Sequence, residues 1–239
     1  MTADNRVRAE QHGHQHRDVS GGWLRPAVFG AMDGLVTNVS LIAGVGGGGG
    51  SPHTIILTGL AGLAAGAFSM AAGEYVSVTS QNELVYAEVD KERRELESNA
   101  AAEQAELATM LRARGISAAT ARQAAAEISA HPEKALQVHA MEELGVNPGE
   151  LPSPVVAAGA SLASFAAGAL VPLLPYLFGL HVLGVALGLA AAAAIVGGGI
   201  VARLTGRPFW LGAVRQLVLG ALAAGITYAI GMAVGHVAS

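Results

Sequence analysis

Five apolar stretches, each long enough to cross a lipid bilayer, constrain the fold of this chain more than any other feature. A spanning helix needs about 20 largely apolar residues, because each residue rises about 1.5 Å through a hydrocarbon core about 30 Å thick. The stretches that meet this requirement are Pro26–Gly46, Thr54–Ser80, Val155–Phe178, Val182–Ala202 and Phe209–Val237. They predict an all-α, five-helix transmembrane protein.

The charged residues mark one water-exposed segment between these stretches. Only 13% of the residues are charged and the mean hydropathy is +0.45, whereas about a quarter of the residues in a soluble domain are charged. We therefore divide the chain into an N-terminal tail (1–25), spans one and two (26–80), an inserted helical domain (81–152) and spans three to five (153–239). The net charge of −4 gives no indication of nucleic acid binding, and the lack of cysteine excludes thiolate chemistry.

The positions of Lys and Arg predict the orientation in the membrane. All 14 of them lie in 1–25, 81–154 and 203–208 or close to that end of a span, and the loops 46–53 and 178–181 contain none. By the positive-inside rule, the N-terminus and the inserted domain are cytosolic and the C-terminus is outside. No apolar leader precedes the first span. The high Ala and Gly content and the compact length favour a bacterial plasma membrane.

The inserted domain predicts three helices. The first runs from Glu83 to about Arg112 without Gly or Pro, the second covers Ala118–Ala130, and the third covers Glu133–Leu144, before Gly145 and Pro148.

The first of these helices carries five glutamates within one stripe about 60° wide, counted at about 100° per residue. They are Glu88, Glu92, Glu95, Glu103 and Glu106. Like charges on one helix face repel each other, and carboxylate oxygens are hard anionic ligands, so a shared divalent cation would relieve the repulsion. The alternative is an ordinary solvated acidic face, with Lys91, Arg93 and Arg94 nearby.

The third helix adds His139, Glu142 and Glu143, spaced so that they share a face. Imidazole combined with carboxylate suits Fe(II), Mn(II) or Zn(II) better than calcium. This spacing is common in helices by chance, and it gains meaning only if the third helix folds back onto the acidic stripe.

Two acids lie inside apolar spans, Asp33 in the first and Glu74 in the second. An ionised carboxylate in the bilayer costs several kcal/mol on most scales, and such residues usually line a path for water or ions. Met70 lies one helical turn before Glu74 and offers a thioether ligand. The alternatives are an interfacial position for Glu74 and core packing for Met70.

Several other polar residues carry weaker indications. Asn38 and Ser40 could supply oxygen ligands beside Asp33 or satisfy hydrogen bonds between helices. The tail residues His12, His14 and His16 could bind metal or belong to a short disordered segment. We find no nucleophile with an acid–base partner and no nucleotide-binding motif, so we expect neither an enzyme nor a bound cofactor.

Four ordered motifs resemble one family of membrane proteins. They are DGLVTNVSLIAGV (Asp33–Val45), GAFSMAAGEYVSVTSQNE (Gly66–Glu83), HAMEELGVNP (His139–Pro148) and SFAAGALVPLLPY (Ser164–Tyr176). Together they resemble the vacuolar iron transporter family, and the likeness extends from about Trp23 to the C-terminus.

The resemblance implies a homodimer with five spans per chain that moves Fe(II), and often Mn(II), out of the cytosol in exchange for protons. It implies that Asp33 and Met70 line the translocation path at the dimer interface, with Glu74 close by. It also implies a set of metal ligands in a cytosolic metal-binding domain, namely Glu92, Glu95, Glu103, Glu106 and Glu143. Glu88 and Glu142 cannot be carried over from the family.

One departure from the family concerns this ligand set. His139 stands where plant members have a methionine, four residues before the last glutamate, and Met141 lies on another face. The ligands do not discriminate among Fe(II), Mn(II) and Zn(II). Two alternative functions stay open, a membrane protein that stores or senses metal without transport, and a membrane scaffold whose acidic domain binds partner proteins.

Overall fold

The computed structural model describes residues 22–238, and the regular elements in this part of the chain are helices. The α-helices are α1 (Leu24–Gly47), α2 (Pro52–Ser98), α3 (Ala100–Ala113), α4 (Ala118–Ser129), α5 (Pro132–His139), α6 (Pro154–Leu170), α7 (Leu174–Leu177), α8 (Leu183–Leu204) and α9 (Phe209–Ala238). A π-helical turn (Ala140–Leu144) extends α5, and 3₁₀ turns precede α6 (Pro148–Glu150) and join α6 to α7 (Val171–Leu173).

The five predicted spans are confirmed as helical segments that are long and apolar enough to cross a membrane. They are α1, α2, the segment that contains α6 and α7, α8 and α9. A 3₁₀ turn interrupts the α-helix of the predicted Val155–Phe178 span, because Pro172 and Pro175 cannot supply the N–H groups that a continuous helix needs. The protein is an integral membrane protein.

Helix α2 is much longer than a membrane requires. Its 47 residues correspond to about 70 Å of helix at 1.5 Å per residue, against a hydrocarbon core of about 30 Å. Only the apolar first part, up to about Ser80, can lie in the bilayer, and the charged remainder extends beyond it. Near this exit the Asn82 side-chain amide donates a hydrogen bond to the Pro152 carbonyl at 3.0 Å, which ties α2 to the start of α6.

The prediction of one continuous helix over 83–112 was wrong, because the chain breaks at Asn99. This residue has φ −135° and ψ 41°, outside the helical region, and its carbonyl accepts the N–H of Glu103 in the next helix. Ser98 and Asn99 carry short polar side chains that compete with helical hydrogen bonding. The predicted stripe is thereby divided, with Glu92 and Glu95 on α2 and the later glutamates on α3.

The other two helices of the inserted segment are confirmed as α4 and as α5 with its π-helical turn. Helix α5 packs against α2 through a small apolar cluster of Val89, Leu136 and Ala140. Helices α3 and α4 pack through Leu107 and Ala125. These contacts bring the end of α2, α3 and α5 together beyond the membrane part of the chain.

Glycines allow close packing of α1 on α6. A Cβ atom at Gly168 of α6 would overlap the carbonyl oxygen of Ala31, and one at Gly34 of α1 would overlap that of Phe165. Small residues at such contacts let membrane helices approach each other closely. Beside this contact the buried Asn38 side chain donates a hydrogen bond to the carbonyl of Ala169.

Gly168→Ala should destabilise the protein, whereas Gly159→Ala on the same helix should not. The added methyl group at Gly168 meets backbone on α1, and overpacking of this kind typically costs about 1–3 kcal/mol. Nothing lies within 4 Å of a Cβ at Gly159, so there alanine gains about 0.5–1 kcal/mol from its higher helix propensity. Thermal unfolding of both variants in detergent measures the difference. Equal melting temperatures would contradict the close α1–α6 packing.

Candidate metal centre

Three side chains from three helices converge outside the spans. Glu92 comes from α2, Glu103 from α3 and His139 from the end of α5, and one potential ligand atom of each lies within 4.8 Å of the other two. The His139 Nδ1 atom is 3.0 Å from Glu92 Oε1 and 3.9 Å from Glu103 Oε2. We call these three residues the carboxylate–imidazole cluster.

The cluster is buried because its members lie on the apolar faces of their helices. Glu92 follows Val89 by three residues and His139 follows Leu136 by three, so each lies one turn beyond a residue of the α2–α5 apolar contact. His139 is fully buried, and Glu92 and Glu103 are only 7% and 8% exposed. Buried carboxylates are rare unless they are paired or bind a cation.

Burial also disfavours ionisation of the two glutamates. The pKa of Glu92 is raised above its ordinary value, first by burial and then by the neighbouring Glu143 carboxylate, while His139 opposes the increase. The pKa of Glu103 is raised by burial and then by Glu106, and His139 again lowers it. The fold thus gathers carboxylates whose mutual repulsion one imidazole offsets only in part.

Two buried atoms at the cluster lack a hydrogen-bond partner among the described residues, Glu92 Oε1 and His139 Nε2. The approach of Glu92 Oε1 to His139 Nδ1 is short enough for an ion pair but lacks hydrogen-bond geometry. The Glu143 carboxylate also approaches Nδ1, at 3.3 Å. Three carboxylates therefore lie within 4 Å of Nδ1, and imidazole combined with carboxylate is a donor set suited to a divalent transition metal.

The remaining predicted ligands lie farther out. Glu95 is half-buried and Glu106 is exposed, and both are close enough to raise the pKa of Glu103. Glu88 is exposed on α2. Glu142 forms an ion pair with Arg114 at 2.8 Å instead of joining the cluster.

The membrane residues of the predicted path divide between two places. Asp33 lines a cavity of about 470 Å³ among α1, α8 and α9, and it accepts a hydrogen bond from Thr37 at 3.4 Å. Met70 packs beside Phe165 at the contact of α2 with α6. Glu74 is half-buried one turn farther along α2. Within one chain, Asp33 and Met70 thus belong to different helix contacts.

Sequence reasoning missed two features of the membrane part. Arg25 and Arg215 line the same cavity as Asp33, which their distant sequence positions do not reveal. Asn38 is fully buried, and its Oδ1 atom has no hydrogen-bond partner among residues 22–238. His12, His14 and His16 lie outside the described residues.

The fold and the cluster together define a class, an integral membrane protein of five helical spans that carries a carboxylate–imidazole cluster outside its spans. Comparison with known proteins identifies the family within this class. The profile of the VIT family matches residues 24–232. The chain belongs to this family, and the resemblance drawn from its motifs is confirmed.

Curated relatives are similar over most of their length. A vacuolar iron transporter of Acanthamoeba castellanii is 36% identical over 226 residues, which cover 92% of this chain and 82% of the relative. Vacuolar iron transporter homolog 1 of Oryza sativa subsp. japonica is 36% identical over 220 residues, which cover 87% of this chain and 72% of the relative. Vacuolar iron transporter 1 of the same plant is 31% identical over 242 residues, which cover 98% of this chain and 94% of the relative.

Proposed function

We propose that this protein exports Fe(II) from the cytosol by exchange with protons and so serves iron detoxification and homeostasis. The observation that carries the proposal is the convergence of Glu92, Glu103 and His139 within 4.8 Å. Membership of a family whose relatives are named iron transporters supports iron as the substrate. Mn(II) and Zn(II) are further candidate substrates because imidazole and carboxylate ligands accept all three ions.

The carboxylate–imidazole cluster would capture the ion on the cytosolic side. Glu143 completes the inner donor set, and Glu95 and Glu106 add negative charge at its edge. Because the pKa values of Glu92 and Glu103 are raised, metal binding there displaces protons at a higher pH than it does at an exposed glutamate. Capture would therefore weaken as the solution becomes more acidic.

The path through the membrane would use Asp33, Met70 and Glu74. Protons and metal compete for the same carboxylate oxygens, which gives exchange a physical basis. Since Asp33 and Met70 lie at different helix contacts within one chain, a path lined by both is more readily formed by two copies. Apolar side chains that α2 leaves exposed, such as Leu57 and Phe68, are available for contact in a homodimer.

The direction of export rests on the orientation of the chain. Arg25, Arg203 and Arg207 lie at the same end of the bundle as the inserted helices, and the opposite loops carry no Lys or Arg. The positive-inside rule therefore supports a cytosolic cluster and an external C-terminus. We place the protein in a bacterial plasma membrane on the compositional grounds given above. The named relatives are eukaryotic and two are called vacuolar transporters, so this location stays a prediction.

Fe(II) flux into proteoliposomes, with and without an imposed proton gradient, tests the proposed function. We expect uptake that is accelerated when protons can leave the vesicle lumen in exchange for the ion. Liposomes that contain the protein but lack a gradient are the matched control. Metal binding without any flux would reject transport and favour storage or sensing. No metal binding at all would favour the scaffold alternative.

A further inference from the structure

The two adjacent acids that follow α5, Glu142 and Glu143, have different partners. Glu143 Oε1 lies 3.3 Å from Nδ1 of His139, whereas Glu142 Oε2 lies 2.8 Å from Nη2 of Arg114 at the end of α3. On a regular α-helix both acids would lie on the face of His139, because residues three and four positions apart are neighbours there. The local backbone conformation therefore separates them.

The π-helical turn (Ala140–Leu144) accounts for this separation. Its hydrogen bonds join residues five apart instead of four, so the turn takes up more residues and each residue advances less around the axis. The side chain of Glu143 then lies more nearly above His139, and that of Glu142 is turned farther away. The turn ends at Gly145, whose φ of +67° stops the helix. The π-helical turn thus decides which of the two acids approaches the imidazole.

The ion pair with Arg114 stabilises this turn from outside. Isolated π-helical turns are rare, and a return to α-helical hydrogen bonding would bring Glu142 back toward the cluster. Arg114 is held in place by its own backbone, because its N–H donates to the Met110 carbonyl at 3.2 Å and Gly115, with φ +92°, turns the chain directly after it. The Glu142 side chain is only 17% exposed, so water screens the ion pair less than it would on an open surface.

Glu143 depends on the turn more than the other carboxylates of the donor set do. Its side chain is 32% exposed, against 8% for Glu92 and 11% for Glu103. Surrounding side chains hold the two buried carboxylates, whereas the position of Glu143 is set mainly by the backbone that carries it. Arg114 also ends the helix that carries Glu103, so the ion pair connects two of the segments that supply the donor set.

We propose that Arg114 is a positioning residue of the metal centre, which holds Glu142 away from the cluster and thereby places Glu143 beside His139. Arg114 does not contact the ion itself. The inference rests on the proposed function, because it assumes that the carboxylate–imidazole cluster and Glu143 bind Fe(II). It makes a prediction of opposite sign to simple electrostatics. A guanidinium group repels a divalent cation, so charge alone would make its removal strengthen binding, whereas loss of positioning should weaken it.

Calorimetric titration of the full-length protein in detergent with Fe(II), under anaerobic conditions, tests this role. Arg114→Gln should weaken binding about fivefold, which is near the most that one partly exposed ion pair contributes. Arg114→Lys keeps the ion pair and should retain most of the affinity. Arg112→Gln is the matched control, since Arg112 is exposed two residues earlier and forms no ion pair with a carboxylate of residues 22–238. It should not weaken binding.

A double-mutant cycle with Glu143→Gln identifies the residue through which Arg114 acts. The double variant should bind Fe(II) no more weakly than Glu143→Gln alone, because the carboxylate that Arg114 positions is already gone. The inference is overturned if the two losses add, if Arg114→Gln binds as tightly as wild type or more tightly, or if Arg112→Gln weakens binding equally. Failure of the wild type to bind Fe(II) would instead reject the metal centre of the proposed function, and this inference with it.

Discussion

Asp33→Asn should reduce gradient-driven Fe(II) flux to that of liposomes without protein, while the protein still folds and still binds metal at the carboxylate–imidazole cluster. The substitution keeps the size of the side chain and removes its charge. A divalent ion inside the bilayer needs anionic ligands to offset its desolvation. Asp33 is the acid of the first span and lines a cavity there. Flux by stopped-flow fluorescence and metal binding by calorimetry are measured on the same preparation.

Asp90→Asn is the control for this experiment. It makes the same chemical change on α2 at an exposed position and should leave flux unchanged. Thr37→Val provides a graded test, since it removes the hydroxyl that donates to Asp33 at 3.4 Å and keeps the carboxylate. We expect it to slow flux without abolishing it. Normal flux in Asp33→Asn would exclude this residue from the path.

Positive charges close to Asp33 oppose the binding of a divalent cation there. Two arginines share its cavity, and their repulsion of Fe(II) is strong in a medium of low dielectric constant. A path through Asp33 therefore needs either an anion that neutralises Arg25 and Arg215 or a second copy of the chain that supplies a different approach.

The membrane part of the fold was predictable because its signal is local. Twenty apolar residues in a row decide a span without any knowledge of their neighbours, so all five were found. The break at Asn99 was not, since the lower helix propensity of Asn relative to the neighbouring alanines, at most about 0.7 kcal/mol, is too small to decide by itself where a helix ends. Only tertiary contacts, such as the packing of α5 on Val89, decide where a weakly specified helix ends.

The candidate site was predictable in residue type and only partly in geometry. The spacing of the glutamates selected Glu92 and Glu103 although the single helix that justified it does not exist, because each fragment still turns one acid toward α5. Burial was not predictable from spacing, and it separates these two from the exposed Glu88 and Glu106. The shared cavity of Asp33 and Arg215 depends on a contact between α1 and α9 that no local pattern encodes.

Glu92→Gln should have opposite effects on the metal-free and the metal-bound protein. In the metal-free protein the pKa of Glu92 is raised above its ordinary value of 4.5. The protonated side chain therefore stabilises the fold fully below pH 4.5, and this stabilisation is lost as the pH rises through the raised pKa. At neutral pH the ionised carboxylate thus destabilises the fold, and the neutral amide should raise the melting temperature. At pH 4 the two proteins should melt alike.

With Fe(II) under anaerobic conditions the order should reverse. A metal at 100 times its Kd stabilises the wild type by about 2.7 kcal/mol. Loss of a residue that only hydrogen-bonds to a metal ligand typically weakens metal binding about 10- to 100-fold, and loss of the ligand Glu92 itself should weaken it more. Glu88→Gln, on the same helix and exposed, should change neither curve. Full-length protein in detergent is melted at both pH values with and without the ion. If Glu92 had a purely structural role, Glu92→Gln would lower the melting temperature both with and without the metal. If Glu92 were an ordinary solvated acid, neither melting temperature would change. Only a buried ligand that repels its neighbours gives a higher melting temperature without the metal and a lower one with it.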